Sequence, residues 1–147
     1  MDLAGKSVDQ IVKKLEAIRG KLSITLALDT LKYARLSGRV GTLQAALASA
    51  LQVKPIITLQ QGMLQMTERV RTRSASIDRI VKIVQEQCGN LPVNIAVVHA
   101  EDMVSAQTLI EKTKGVLNIK EIIVTELSIS VSANLGPGTV GIVAYSE

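Results

Sequence analysis

Apolar residues recur along this chain at two different spacings, and the switch between them outlines its elements. Val8, Ile11, Val12, Leu15 and Ile18 share a face at helical spacing, with Ser7 and Gln10 in capping-box register. That pattern predicts a helix from about Ser7 to Arg19, closed by Gly20. Leu22, Ile24, Leu26 and Leu28 then alternate with Ser23, Thr25 and Ala27, the period of a strand with one buried face. Asp29 stands where it would cap a short helix carrying Leu31, Tyr33, Ala34 and Leu36 and ending at Gly38. Thr42 would cap another, with Leu43, Ala46, Leu47, Ala50 and Leu51 on one side. Pro55 to Leu59 and Met63 to Val70 read as a hairpin turning at Gln61-Gly62.

The remainder alternates helix and strand. Ile77, Ile80, Val81 and Val84 form the inner face of a helix from about Ser74 to Gln87, with Gly89 past its end. Val93 to Val98 is almost continuously apolar, as in a strand covered on both faces. A helix is predicted over 101–114, with Glu101 and Asp102 in its first turn and lysines in its last. Ile119 to Leu127 and Thr139 to Tyr145 read as strands, joined by a Ser- and Gly-bearing connection through Gly136-Pro137-Gly138. The sum predicts one domain of α/β class, a mixed β-sheet packed with helices.

Composition narrows this picture. A chain of 147 residues, 47% of them hydrophobic, is long enough to bury about 70% of its unfolded surface without a metal or disulfide staple. One cysteine, Cys88, excludes an internal disulfide and a multi-thiolate zinc site and suits a reducing compartment. No secretory leader or membrane-length apolar run is visible, so the expected location is cytoplasmic. With 2 Tyr and neither Phe nor Trp, the core must be aliphatic, and the flat side chains that stack on bases are missing. A net charge of +4 mildly favours anionic partners.

Candidate chemistry is sparse. Gly136, Gly138 and Gly141 match G-x-G-x-x-G, but a strand follows them instead of a helix, and the chain stops before the acidic residue a dinucleotide fold requires. A tight turn between strands is the preferred reading; exposed amides holding a single anion such as a carboxylate is the other. Arg69, Arg71 and Arg73 alternate, so on an extended chain their guanidinium groups point one way, and Arg39 adds another after Gly38. They make either a solvated strand end or a face for carboxylate, phosphate or protein; nucleic acid is disfavoured, because no aromatic lies among them. His99 is read as a hydrogen-bonded residue at a strand end, since no second histidine exists to share a metal. No nucleophile elbow occurs, and Cys88 reads as a small buried hydrophobe. No catalytic constellation and no metal site is expected, so the protein is read as a non-enzyme.

Taken together, Asp29-Thr30-Leu31 with Tyr33, Gly38-Arg39-Val40-Gly41, Lys54-Pro55-Ile56 with Gly62, Arg69-Val70-Arg71-Thr72-Arg73 and Gly136-Pro137-Gly138 resemble the carboxyl-terminal domain of the DegV family of fatty-acid-binding proteins. The resemblance covers nearly the whole chain, in the family's order. It implies a carrier that holds a long-chain fatty acid between two α/β domains. The carrier presents the carboxylate to a fatty-acid kinase, which makes acyl-phosphate for phospholipid synthesis, and itself contributes no catalytic group and no cofactor. By match to the family's turn, Asn134, Gly136 and Gly138 are expected near the ligand head, with Asn134 where the family usually has histidine. An asparagine there still donates a hydrogen bond but carries no charge. Arg39, Arg71 and Arg73 are expected to dock the kinase. The chain is expected to begin in a hinge-type helix, residues 7–20, without the family's amino-terminal domain, so that in isolation it keeps a lipid or self-associates. The alternative is an interaction module that docks a partner through its arginine face without binding lipid.

Overall fold

The computed structural model describes residues 5–37, 53–60 and 63–146. The expectations about the Thr42 helix, the Gln61-Gly62 turn and Arg39 lie outside the described residues. Within them the order is α1 (Val8–Lys21), β1 (Leu22–Ala27), α2 (Lys32–Leu36), β2 (Lys54–Gln60), β3 (Met63–Val70), α3 (Arg73–Cys88), β4 (Val93–His99), α4 (Met103–Lys114), β5 (Ile119–Glu126), α5 (Ile129–Leu135) and β6 (Val140–Ser146). The strands form a single sheet in the order β3-β2-β1-β6-β4-β5. Only β4 and β5 pair in parallel, joined through α4; every other neighbouring pair is antiparallel. The mixed α/β architecture expected from the alternating periods is therefore the one observed.

Local chemistry explains most element ends. Ser7 and Gln10 form the reciprocal capping box of α1. Thr72 accepts the Ala75 amide at 3.1 Å to start α3, and Asp102 accepts that of Ser105 at 3.0 Å to start α4, each cap being worth about 1 kcal/mol. Several expectations are corrected. Gly20 does not stop α1, which continues to Lys21. Asp29 does not cap α2; its carboxylate is drawn away to Lys54 and Arg73, and Leu31 stands at the cap without a side-chain bond. Glu101 lies before α4 in the left-handed region, at φ 54°, so only Asp102 serves that helix end. The connection before Gly136 holds a seven-residue helix, α5, whose serines and short length hid it.

The pleat divides the buried residues between two faces. On one, Ala27, Ile56, Val93, Ile95, Val97, Val140, Ile142 and Ala144 meet Ile77, Ile80, Val81 and Val84 of α3 and Ala106, Leu109 and Ile110 of α4. Each large aliphatic side chain so buried contributes about 1.5–3 kcal/mol. On the other, Leu26, Leu28, Ile57 and Val98 meet Leu31, Ala34 and Leu135 from α2, α5 and the segments beside them. Ile24, Met66, Ala96, Leu127 and Val143 there are only partly covered. His99 belongs to the helix-covered face and is 2% exposed. Contrary to expectation, neither ring nitrogen has a hydrogen-bond partner.

Candidate functional site

The turn Gly136-Pro137-Gly138 lies where β6 begins, against the ends of β1 and β4. Gly136 has φ 89°, and a Cβ placed on it would lie 2.3 Å from Cδ2 of Tyr33. Both the backbone angle and the aromatic ring therefore require glycine. Gly138, at φ 77°, is similarly confined, with Asp29 Cβ 3.0 Å and Arg73 Nη2 3.2 Å from where its Cβ would be. The amides of this turn do not face outward. Gly136 N–H donates to Ser132 O at 2.7 Å and Gly138 N–H to Ala100 O at 2.8 Å. The Thr139 hydroxyl reaches back to Gly136 O at 2.8 Å. The backbone groups that would cradle an anion are thus spent inside the protein, and the tight-turn reading prevails over the anion nest.

Arg73 fastens the turn from the helix side. Its Nη2 donates to Gly138 O and lies 3.5 Å from Asp29 and 3.4 Å from Asp102. Lys54 closes the group by pairing with the Asp29 carboxylate and donating to Asp29 O at 3.2 Å. Four elements and connections are tied here: the β1–α2 link, the start of β2, the start of α3 and the cap of α4. Arg73 Nη1 is buried without a partner. The extended arginine run expected from the sequence is broken, because β3 ends at Val70 and the chain turns before α3. Arg71 is exposed, whereas Arg73 folds inward and does not share its face. Asn134, on α5 and half-buried, donates from Nδ2 to Ser130 O at 2.6 Å.

Two depressions flank the partly covered face. Beside the turn, Tyr33, Ala100, Leu127, Ser132 and Pro137 line a cavity of about 380 Å³ that Glu101 and Glu126 also border. Toward the other end of β6, a groove of about 240 Å³ runs over Ala96, Ile123, Val143 and Tyr145. Through Asn94, Glu121 and Tyr145 it joins a space of about 770 Å³ beneath α1, edged by Lys14, Lys21 and Lys120. Helix α1 buries none of its residues. An apolar sheet face with polar groups at each end suits a long amphipathic ligand. On the helix-covered side, burial pushes the Cys88 thiol above its ordinary value, which disfavours thiolate. Among the described residues, no group of three His, Cys, Asp or Glu is placed to hold a metal ion, and no helix is long and apolar enough to cross a membrane.

Sequence reasoning missed the Asp29–Arg73–Asp102–Lys54 cluster and the stacking of Tyr33 over Gly136. Both Asp residues carried a local signal, helix capping, that concealed their long-range partners.

The whole chain, residues 1–147, matches the model of a family described as "Uncharacterised protein, DegV family". A DegV domain-containing protein of Streptomyces coelicolor is 36% identical over 145 residues, 98% of this chain and 52% of that protein. Protein DegV of Bacillus subtilis is 29% identical over 137 residues, 92% of this chain and 49% of its own. Among solved structures, a fatty-acid-binding DegV family protein of Thermus thermophilus superposes with a TM-score of 0.87 at 27% identity, covering 97% of this chain and 52% of that one. The chain spans about half the length of the curated relatives it matches.

Proposed function

Since the chain belongs to the DegV family, we propose that it binds a long-chain fatty acid along the partly covered face of its sheet, as the carboxyl-terminal half of a two-domain carrier. The observation that carries this reading is the asymmetry of the sheet. One face is closed by α3 and α4, while on the other Ala96 and Val143 line an apolar groove and Ile24 is only partly covered. The Thermus relative, whose fold this chain shares, is itself a fatty-acid-binding protein. An aliphatic surface without large aromatics accommodates a flexible tail, and burying that tail supplies about 25 cal/mol per Å².

The carboxylate lies toward the Gly136-Pro137-Gly138 end. With the turn amides already engaged, Gly136 and Gly138 act there by letting Tyr33 and Arg73 pack against the turn, which sets the Tyr33 ring beside the ligand head; Asn134 joins the head site by resemblance. Glu101 and Glu126 border the cavity beside Pro137 and repel a carboxylate, which favours the Asn134 side. The carrier presents the head to a fatty-acid kinase for acyl-phosphate formation, with Arg71 in the docking face. Arg39 joins that face by resemblance alone. Arg73 supports it indirectly, by fixing the turn. The protein supplies no catalytic group.

Titrating delipidated protein with stearic acid under native mass spectrometry tests the binding step. A one-to-one adduct at micromolar ligand is expected; a chain that stays bare at every concentration overturns the proposal. Lys14, Lys21 and Lys120 at the far end of the groove favour a second reading in which the acid lies reversed. Lys14→Glu with Lys21→Glu then abolishes uptake, whereas in the preferred orientation uptake persists.

A further inference from the structure

The two edges of the sheet are defended very differently. At one, β3 carries Gln65, Thr67, Glu68 and Arg69, its register with β2 is interrupted near Ile56, and Glu68 is clamped by Arg79 of α3. Charge and irregularity of this kind keep an edge from pairing with other chains. At the other edge, β5 runs eight residues with most of its side chains exposed. Its centre, Ile122-Ile123-Val124-Thr125, is β-branched throughout and lacks a charge or proline. Ile123 is 51% exposed and Val124 41%.

The backbone of β5 shows which groups this edge offers. His99 pairs with Glu126 in the parallel ladder, and Leu127 N–H donates to His99 O at 2.8 Å. Odd-numbered residues from 121 to 127 therefore direct their amides and carbonyls to β4, and Ile122, Val124 and Glu126 direct theirs outward. Outward groups of one strand can join those of an identical strand only in certain registers. An antiparallel pairing centred on Ile123 sets Ile122 opposite Val124 of the second copy, both outward, each such pair exchanging both its N–H···O bonds. The same register sets Lys120 opposite Glu126 twice over. Shifting the centre by one residue either way loses that match and leaves Glu126 opposite Asn118 or Ile122. A parallel in-register pairing would set like charges on like.

We propose that β5 is a self-association edge, at which two copies of this chain join antiparallel about Ile123 to continue one sheet across both. Opposite charges at the two ends of β5 give the contact its direction and register. The contact is smaller than a standard protein interface, so the dimer is weak, and it is made through the outward backbone groups at the rim of the sheet.

Sedimentation of delipidated protein over a concentration series tests this. Reversible dimerisation below about 1 mM is expected. Val124→Pro removes an outward N–H that the monomer does not use and should leave a monomer. Lys120→Glu sets acid against Glu126 and should weaken the dimer about tenfold, while Lys120→Glu combined with Glu126→Lys restores it. The charge swap uses exposed positions, so it remains decisive if Val124→Pro fails to fold. A monomer throughout the series, or a dimer indifferent to both the reversal and its rescue, overturns the proposal. Dimerisation that appears only on addition of stearic acid also overturns it.

Discussion

The two faces of this sheet are made from the same aliphatic side chains and differ in what lies on them. Beneath α3 and α4, Ile80, Val84 and Leu109 are fully buried against Val97, Val140 and Ile142. Across the sheet, Ala96 and Val143 sit one residue away along the same strands, and Ile24 lies on the same side in β1, yet all three remain partly open. A strand cannot vary its two faces independently in hydrogen bonding, only in side chains and in what covers them. The closed face accordingly serves stability and the open face is available for a ligand. An aliphatic composition alone could not tell the two uses apart.

The comparison is broken most severely by attacking the closed face. Leu109→Ala should cost about 2–5 kcal/mol in urea unfolding, whereas Val143→Ala on the open face should cost distinctly less, since a half-covered methyl loses fewer contacts. Equal losses would mean that both faces are core. Next in size is Arg73→Ala, which unfastens the Gly138 carbonyl and leaves Asp29 and Asp102 without their shared cation. The expected loss is about 1–3 kcal/mol, read by the same unfolding measurement. Ala96→Leu sharpens the difference between the faces by filling the groove. Because the added side chain enters an open groove and not a packed core, the unfolding midpoint should stay nearly in place while stearic acid uptake in the mass spectrum is abolished.

Smaller effects lie at the surface. The Arg79 hydrogen bonds hold the Glu68 carboxyl below its ordinary 4.5. A depressed carboxyl contributes stability above that value and loses it as pH falls through the folded-state pKa. Glu68→Gln should therefore lower stability at neutral pH by less than about 1 kcal/mol, and wild type and variant should converge in acid. Arg71→Glu, at an exposed position, should leave the unfolding curve in place and reduce acyl-phosphate formation when the loaded protein is given to a fatty-acid kinase. Unchanged turnover would remove Arg71 from the docking face.

What could be read from the sequence follows from range. Periodicity is local, so the Ile77–Ile80–Val84 face of α3 and the alternation of Leu22 to Leu28 in β1 were legible, as was the mixed sheet they imply. Motif order was legible too, and led to the DegV family. Helix α5 was hidden because Ser128, Ser130 and Ser132 mimic loop composition in a helix of two turns. At the candidate site, the glycines of the turn stood out, but not the reason for them. Tyr33 lies over a hundred residues from Gly136 in sequence, and Asp29 and Asp102 each find Arg73 only once β1, α3 and α4 converge. Local spacing also misassigned Arg73, since the break after Val70 turns its side chain from the surface to the turn.

The central claim is that the open face, and not the helix-covered one, receives the acyl chain. Methyl-labelled protein saturated with stearic acid, observed by NMR, addresses it directly through contacts between the acyl methylenes and assigned side chains. Contacts to Ile24, Ala96 and Val143, with none to Ile80 or Leu109, are the predicted result. Contacts confined to Ile80 and Leu109 beneath α3 and α4, or none on either face, would contradict the account.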